Sequence, residues 1–466
     1  MTNVSEQLNY VENNLRKLNE SITVGQGMMR QIAQLVKESQ GDKHDIATLK
    51  EHLVDDRVQK RRYGSTVAAE MAGISHPRLY AAEKDGRLPP PDYRQDTKTK
   101  VRAGYTINQI NHMRDVFKTS PRKPDGAAAA VIGILNLKGG SQKTTSCHLF
   151  SQYLAIQGYK VLLVDSDPQG SLSFFYGKRP DDNVQYEHTI APFMLEDDEA
   201  LVEAGWEPGA SESLSYAIQK TYWSNIDIIP ACLQNLSIDQ LMPEVLARTN
   251  IGYTDRFMKL RHGLIEVGQD YDFIIIDGTP SLNLSTLNVI SACDMVFVPA
   301  PASMPDFAST LQFTDLVAQT LEGHLERGEA PNIPDIRYFI TKYSGSSYAQ
   351  FMSDIIRKVF NVERGDVLTN EVHSSDEVGK ATNRTYSVYE QNSKDSDNPK
   401  RLKKTVEMFD DIFSEMHDAI WDTVWGLQPR SDHMVQLDEL FQKTTKIKEN
   451  VTQVAATAKE EGTHDK

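Results

Sequence analysis

The sequence predicts an α/β chain built on a doubly wound, mainly parallel sheet, preceded by an N-terminal helix and a small basic helix-turn-helix module. Three observations carry this reading. From residue 131 onward, short apolar runs alternate with helical stretches; the runs are Val131–Leu137, Val161–Val164, Ile226–Ile229, Phe273–Ile276, Met295–Val298 and Tyr338–Ile340. Continuous apolar runs of that length are what strands buried on both faces require. Ahead of them, residues 57–104 hold eleven Lys/Arg against five Asp/Glu, in a chain whose net charge is −15. Ahead of those, Leu8, Val11, Leu15, Leu18 and Ile22 are spaced 3, 4, 3, 4, a narrow helical seam.

The whole chain sets bounds on the rest. Its 466 residues suffice for about two to four domains, and 39% apolar with 25% charged residues is an ordinary globular composition. No apolar run approaches the roughly 20 residues of a spanning helix. The polar, acidic start "MTNVSEQLNYVENN" fits neither a signal nor a transit peptide. Three scattered cysteines, Cys147, Cys232 and Cys293, lack pairing or metal-ligand spacing. A reduced, cytoplasmic protein is expected. The acidic total excludes a surface basic throughout but leaves room for a local basic face.

The expected organisation runs as follows. Residues 1–55 form a helical segment, interrupted at Gly25 and Gly27 and restarted by Met29, Ile32 and Val36, with a further short helical stretch at Lys50–His52. It serves either as a packing helix of its own domain or as a dimerisation helix. Residues 56–122 are the basic module. Within it, Thr66–Met71 is a helix, Gly73 a turn, Ser75 a cap and His76–Lys84 a second helix, stopped by Gly86 and the prolines at 89–91. "DYRQDTKTKVRAGYT" reads as a hairpin wing, and "INQINHMRDVFK" as another helix. Residues 123–130 end a small-residue linker, 131–430 hold the α/β domain, with helices at Thr145–Gln157 and Phe307–Gly323, and 431–466 are a charged tail.

Three segments at predicted strand ends carry the chemistry. "LKGGSQKTT" follows the first strand and opens a helix, the setting a phosphate-binding loop needs. There Gly139 and Gly140 let backbone N–H groups close on phosphate oxygens, Lys143 reaches the phosphates, and Thr144 offers a hydroxyl to Mg²⁺. "VDSDPQGS" puts Asp165 and Asp167 at the end of the second strand. "FIIIDGTPS" puts Asp277 after four apolar residues, suited to holding Mg²⁺ through water. Lys138, directly before the glycine pair, is an additional lysine that an ordinary loop of this kind lacks.

Together these segments resemble the deviant Walker A ATPases of the ParA/MinD class. The resemblance implies a doubly wound P-loop ATPase that uses ATP and Mg²⁺. Ser141, Gln142 and Thr145 then complete the nucleotide-binding loop, and Thr144 and Asp277 serve the metal. Lys138 is the signature lysine that crosses a homodimer interface to the partner's nucleotide. Asp167 orients the attacking water, and Asp165 supports the metal or the loop. Gln142 stands where that class usually has Gly, and Gly-Thr-Pro at 278–280 where Pro-Pro is common. The stretch "AAEMAGISHPRLYAAEKDGRLPPPDYR…RAGYTINQIN", residues 68–111, resembles the MerR-like winged helix-turn-helix, which implies recognition by His76 and Arg78 and phosphate contacts from Lys84, Arg94 and Arg102. The combination is similar to large ParA-type partition ATPases, including the RepA proteins of replicator-partition operons, over about residues 1–425.

That resemblance implies an ATP-dependent DNA partition protein, nucleoid-associated, working with a ParB-type centromere-binding protein. The ATP-bound dimer would hold non-specific chromosomal DNA, and the apo or ADP form would repress its own operon at operator DNA. Candidates for the non-specific contacts are Lys342, Lys380, Arg384, Lys400, Arg401, Lys403 and Lys404. A nucleotide-sensing repressor without turnover would account for Gln142, yet would not need both Asp167 and Asp277. A membrane-bound relative would need a stronger C-terminal amphipathic face than Leu437, Leu440, Phe441 and Ile447 provide. An iron–sulfur reductase would need cluster cysteines that the chain lacks.

Overall fold

The computed structural model describes residues 57–94, 99–180, 182–248, 257–326, 332–360, 366–383, 386–392 and 396–426, with isolated positions between 16 and 28. The N-terminal seam and the tail from 431 lie outside the described residues.

Each predicted apolar run is a strand of one eight-stranded sheet. In chain order the strands are β1 Ala130–Ile134, β2 Val161–Asp165, β3 Gln219–Lys220, β4 Ile226–Ile229, β5 Phe273–Asp277, β6 Met295–Pro301, β7 Asp335–Tyr343 and β8 Val367–His373. Their spatial order is β3-β4-β2-β5-β1-β6-β7-β8, parallel throughout except for the short β3–β4 pair. Every residue of β1, β2, β4, β5 and β6 is buried, which explains their unbroken apolar sequences. The two strands without such a signal are edge strands: β3 is only Gln-Lys, and β8 mixes buried apolar with exposed polar residues. β1 stops at Ile134, short of the predicted Leu137, and Leu135–Leu137 lead into the loop that follows.

The chain leaves β1 towards β2 on one side of the sheet and later crosses to β6 on the other. Ligands of such sheets sit beyond the carboxyl ends at this reversal. The register pairs Ile134 with Asp277 and Asp277 with Asp165, so the three chemical segments emerge side by side.

The basic module is three helices, Ser65–Met71, His76–Lys84 and Ile107–Phe117. Ala68, Ala69, Leu79, Ala82, Ile110 and Met113 form its interior. Gly73, with φ 66°, makes the turn between the first two. A hairpin closes through the antiparallel bridge Tyr93–Arg102, with Arg94 N–H donating to the Val101 carbonyl at 2.8 Å. Thr106 and Gln109 cap the third helix reciprocally.

This module is packed onto the sheet's helices within one compact unit that closes at Met416. Arg114, only 3% exposed, is the central tie. Its guanidinium donates to the Met71 carbonyl at 3.0 Å, to Asn111 Oδ1 at 2.7 Å and to the Ile156 carbonyl at 2.8 Å. Ile156 lies in the last turn of the helix Lys143–Gln157, the same helix that the phosphate-loop candidate opens. Gly158 ends that helix with φ 111°, and a β-carbon there would meet Pro121 at 2.8 Å and Arg114 at 2.9 Å. Arg61 reaches the Tyr389 carbonyl at 2.8 Å, Asn108 the Tyr222 carbonyl at 3.0 Å, and Arg57 the Phe175 carbonyl. The segment read as a linker is itself fastened: the Lys123 N–H donates to Asp272 Oδ1 at 2.9 Å and its ammonium to three carbonyls, including that of Tyr271 at 2.8 Å. Among the described residues, no helix is long and apolar enough to cross a membrane.

Removing the guanidinium strands the buried Asn111 Oδ1 and two part-buried carbonyls; a buried acceptor left unsatisfied costs roughly 1–3 kcal/mol. Arg114→Ala is therefore expected to lower the unfolding free energy by about 2–4 kcal/mol. It should also open residues 119–130 to limited proteolysis, read as the release of a fragment carrying the module.

Candidate nucleotide site

The loop between β1 and the helix Lys143–Gln157 is braced from three directions. Asn136 is fully buried; its amide donates to the Pro299 carbonyl at 2.7 Å and to Thr310 Oγ1 at 3.0 Å, while its Oδ1 accepts the Lys138 N–H at 3.0 Å. On the far side, Thr341 Oγ1 donates to the Ser141 carbonyl at 3.2 Å. Lys143, 6% exposed, turns its ammonium back onto the Lys138 carbonyl at 3.2 Å. Burial holds that ammonium's pKa below its usual range, with Asp277 and Asp167 pulling the other way.

Gln142 occupies the left-handed region, φ 78° and ψ 23°. That backbone is why a glycine suits the position, and a residue with a β-carbon costs about 1–2 kcal/mol there. Its Oε1 is buried without a hydrogen-bond partner, as is Ser141 Oγ. Gly140 is also left-handed, at φ 71°, and leaves the open side of the loop bare. The departure at 142 is thus accommodated through strain in a loop otherwise shaped for phosphate oxygens.

The two strand-end aspartates differ. Asp277 is fully buried and its Oδ2 has no hydrogen-bond partner. Burial first, and the charge of Asp165 second, push its pKa well above the carboxylate range; Thr144 and the Lys143 ammonium offset part of this. Asp165 is equally buried but fully engaged: Oδ2 accepts Ser173 N–H at 2.8 Å and Ser173 Oγ–H at 2.7 Å, and Oδ1 accepts Asp167 N–H at 3.2 Å. Its pKa is pushed up to about 7, by burial above all. Of the two roles expected for Asp165, support of the metal or of the loop, these bonds match the second: its oxygens hold the turn after β2. Asp167 is half-buried, with Oδ1 accepting Gln169 N–H at 3.0 Å. Ser166 ties the turn to the Asp277 carbonyl at 2.7 Å.

A divalent cation fits this arrangement only in one manner. No cluster of three acidic, His or Cys side chains suited to a metal exists among the described residues. Mg²⁺ characteristically takes one or two protein ligands and completes its shell with phosphates and water. The orphaned Asp277 Oδ2 beside Thr144 matches that need.

Lys138 is 44% exposed and rests its ammonium 3.6 Å from Asp306 Oδ1 of its own chain. Gly139 lies beside it, exposed, and Thr145 is half-buried in the first turn of the helix. Asn136, Ser173, Asp306 and Thr341 were not legible as site residues. The one available signal was polarity inside apolar strand-end runs, at "ILNLKGG" and "FITKY".

The predicted DNA contacts are dispersed differently than expected. His76 bonds Ser65 Oγ at 3.0 Å and meets Tyr80 edge-on. Arg78 is exposed but lies 4.6 Å over the Phe117 ring, and Lys84 and Arg94 are exposed. Arg102 is corrected: it pairs with Glu83 at 2.7 Å, stacks 4.0 Å over Tyr80 and donates to the Tyr105 hydroxyl at 2.5 Å. It fastens the hairpin to the second helix and is not free for phosphate. Lys380 is paired with Glu377 and Asp397, Arg401 with Asp376 and Lys403 with Glu407. Lys400 and Lys404 are exposed, the latter lining an open groove of about 650 Å³ with Arg357, His373 and Arg401. Arg384 lies outside the described residues. Lys342 is exposed, and its Nζ lies 3.8 Å from the place a β-carbon on Gly140 would occupy.

Comparison with known proteins agrees with this geometry. A family model described as an AAA domain matches residues 129–326. Protein SopA of Escherichia coli (strain K12) is 34% identical over 420 residues, covering 89% of this chain and 99% of that protein. Plasmid partition protein A of Escherichia coli is 22% identical over 259 residues, covering 54% and 62%. A solved structure of a Partition Protein has a TM-score of 0.56 at 20% identity, covering 77% of this chain and 92% of that one, a likeness of fold.

Two outcomes follow from the strain and the buried charge. Gln142→Gly should raise unfolding free energy by about 1 kcal/mol, relieving the left-handed backbone against a smaller loss in chain entropy; Gln142→Val should lower it. For the aspartates, a folded pKa above the unfolded value means stability present in acid and lost as pH rises. The window for Asp165 runs from about 4 to about 7. Asp277→Asn should flatten that decline in the nucleotide-free protein, measured by denaturant titration between pH 5 and 8.

Proposed function

The chain belongs to the ParA-type partition ATPases, which use ATP to segregate plasmids, and on that premise we propose how its parts divide the work. The observation that carries the reading is the assembly, at the carboxyl ends of β1, β2 and β5, of Lys143, Asp167 and the unpartnered Asp277 around a glycine loop.

Lys143 and the N–H groups of residues 139–145 bind the phosphate chain of ATP, a site that favours negative charge at a helix N-terminus. Asp277 and Thr144 hold Mg²⁺, which neutralises phosphate charge. Asp167 orients a water against the terminal phosphorus. The oxygen–phosphorus bond to that water forms, the bridging bond to ADP breaks, and ADP departs with the electron pair. Such a transition state gains most from positive charge and positioning. Lys138 supplies that charge to the nucleotide of a second copy, so its exposed ammonium exchanges Asp306 for the partner's phosphates. Turnover is then conditional on the homodimer.

The remaining assignments follow the family reading. The 57–118 module binds operator DNA through the exposed face of His76–Lys84 and the hairpin bearing Arg94, entering the major groove as helix-turn-helix modules do. In the apo or ADP form it represses its own operon. The ATP dimer binds non-specific DNA through Lys400, Lys403 and Lys404 and associates with the nucleoid in the cytoplasm. A ParB-type centromere-binding protein stimulates hydrolysis and releases it.

The test is ATP turnover by the full chain, alone and with non-specific DNA plus the centromere-binding protein of its operon. Low basal turnover should rise with both additions and fall at least about 100-fold in Lys138→Gln, consistent with the loss of one transition-state cation. Turnover absent under every condition, with ATP still bound, would leave a nucleotide-sensing repressor. DNA retention should also weaken steeply between 50 and 200 mM salt, as expected of binding through phosphates.

A further inference from the structure

β7 does not end as an ordinary strand. Its pairing with β8 is irregular between Ile340 and Tyr343, and within that interval Lys342 adopts φ 54°, one of four non-glycine residues with positive φ among those described. A left-handed residue with a β-carbon is strained, and such strain persists where the surroundings enforce it. Irregularities of this kind re-aim a side chain beside a site. Here the neighbours are buried on both sides: Thr341 fixes the Ser141 carbonyl of the phosphate loop, and Tyr343 packs inward.

The re-aimed side chain reaches the loop. Lys342 Nζ lies 3.8 Å from the place a β-carbon on Gly140 would occupy. The loop's other two lysines are already engaged within the chain, Lys143 on the Lys138 carbonyl and Lys138 on Asp306. Lys342 has no acidic partner among the described residues and is exposed. An unneutralised ammonium, held by a strained backbone over the bare second glycine, faces the space where the loop receives its anion.

We propose that Lys342 is a third cation of the nucleotide site, binding the polyphosphate chain of the nucleotide in its own subunit, and not a contact for DNA. This rests on the reading of residues 138–145 as a phosphate loop and adds a ligand outside that motif. The lysine contributes to the ground-state complex: it is set for affinity, whereas Lys138 acts across the dimer.

The experiment is equilibrium binding of the non-hydrolysable analogue adenosine 5′-(β,γ-imido)triphosphate with Mg²⁺ to the full chain, by calorimetry. Lys342→Gln should bind about tenfold more weakly, in the range expected of one charge-assisted hydrogen bond. Lys342→Arg should recover most of the affinity. Lys342→Gly removes the strain together with the charge, so it should fold at least as stably as wild type and still bind weakly, which separates charge from backbone. With nucleotide saturating, Lys342→Gln should retain wild-type affinity for non-specific duplex DNA. Nucleotide affinity within twofold of wild type in Lys342→Gln would overturn the proposal, whether or not DNA binding falls. Lys143→Gln is the control: if it too binds nucleotide normally, the loop reading itself fails, independently of Lys342.

Discussion

The helix Lys143–Gln157 is the member on which the remaining structure hangs. Residues 146–155 are all buried, in spite of Ser146, His148, Ser151 and Gln152 among them. Its amino end is the phosphate loop, and its carboxyl end is gripped by Arg114. Gln152 bonds the buried Glu390, which also accepts from the Tyr222 hydroxyl at 2.8 Å. An amphipathic helix could be displaced by solvent along one face. This one has no such face, so whatever bears on one end is resisted at the other.

How far this was readable depends on what each residue answers to. The sheet was legible because strands buried on both faces must be apolar; β3 and β8, at the edges, escape that requirement and left no signal. The helix His76–Lys84 was legible to the residue: Ser75 stands at its N-cap position, although its side chain makes no capping bond, and Gly86 follows its end. At the candidate site, Lys143, Asp167 and Asp277, which the structure brings together, stood out in the sequence because phosphate and metal chemistry restricts residue type. Asn136, Ser173 and Thr341 could not. They hold backbone groups, a task open to many polar residues, and only the folded arrangement selects them.

Cationic residues were the least legible class. A lysine or arginine in sequence declares a charge but not its counterpart. Arg102 found Glu83, Lys380 found Glu377 and Asp397, and Arg401 found Asp376. Glu83, Asp376 and Asp397 lie on other segments of the chain, where spacing does not announce them, whereas Glu377 stands three residues before Lys380 on the same helix. Lys342 shows the converse: its position depends on a backbone conformation that no periodicity encodes. Local charge surplus coincides with the three-helix module, yet it does not tell which of its members face outward.

Four of the ties between the module and the sheet share a chemical asymmetry. Arg57, Arg61, Asn108 and Arg114 all donate from the module side, and what they meet are the main-chain carbonyls of Phe175, Tyr389, Tyr222 and Ile156. A carbonyl is supplied by any residue, so substitutions at those four acceptor positions leave these bonds in place as long as the backbone keeps its course. The donors have no such latitude, because a shorter or neutral side chain cannot span the gap. At these four bonds sequence drift is therefore tolerated on the acceptor side and not on the donor side, and a transplanted module would need to bring its own arginines.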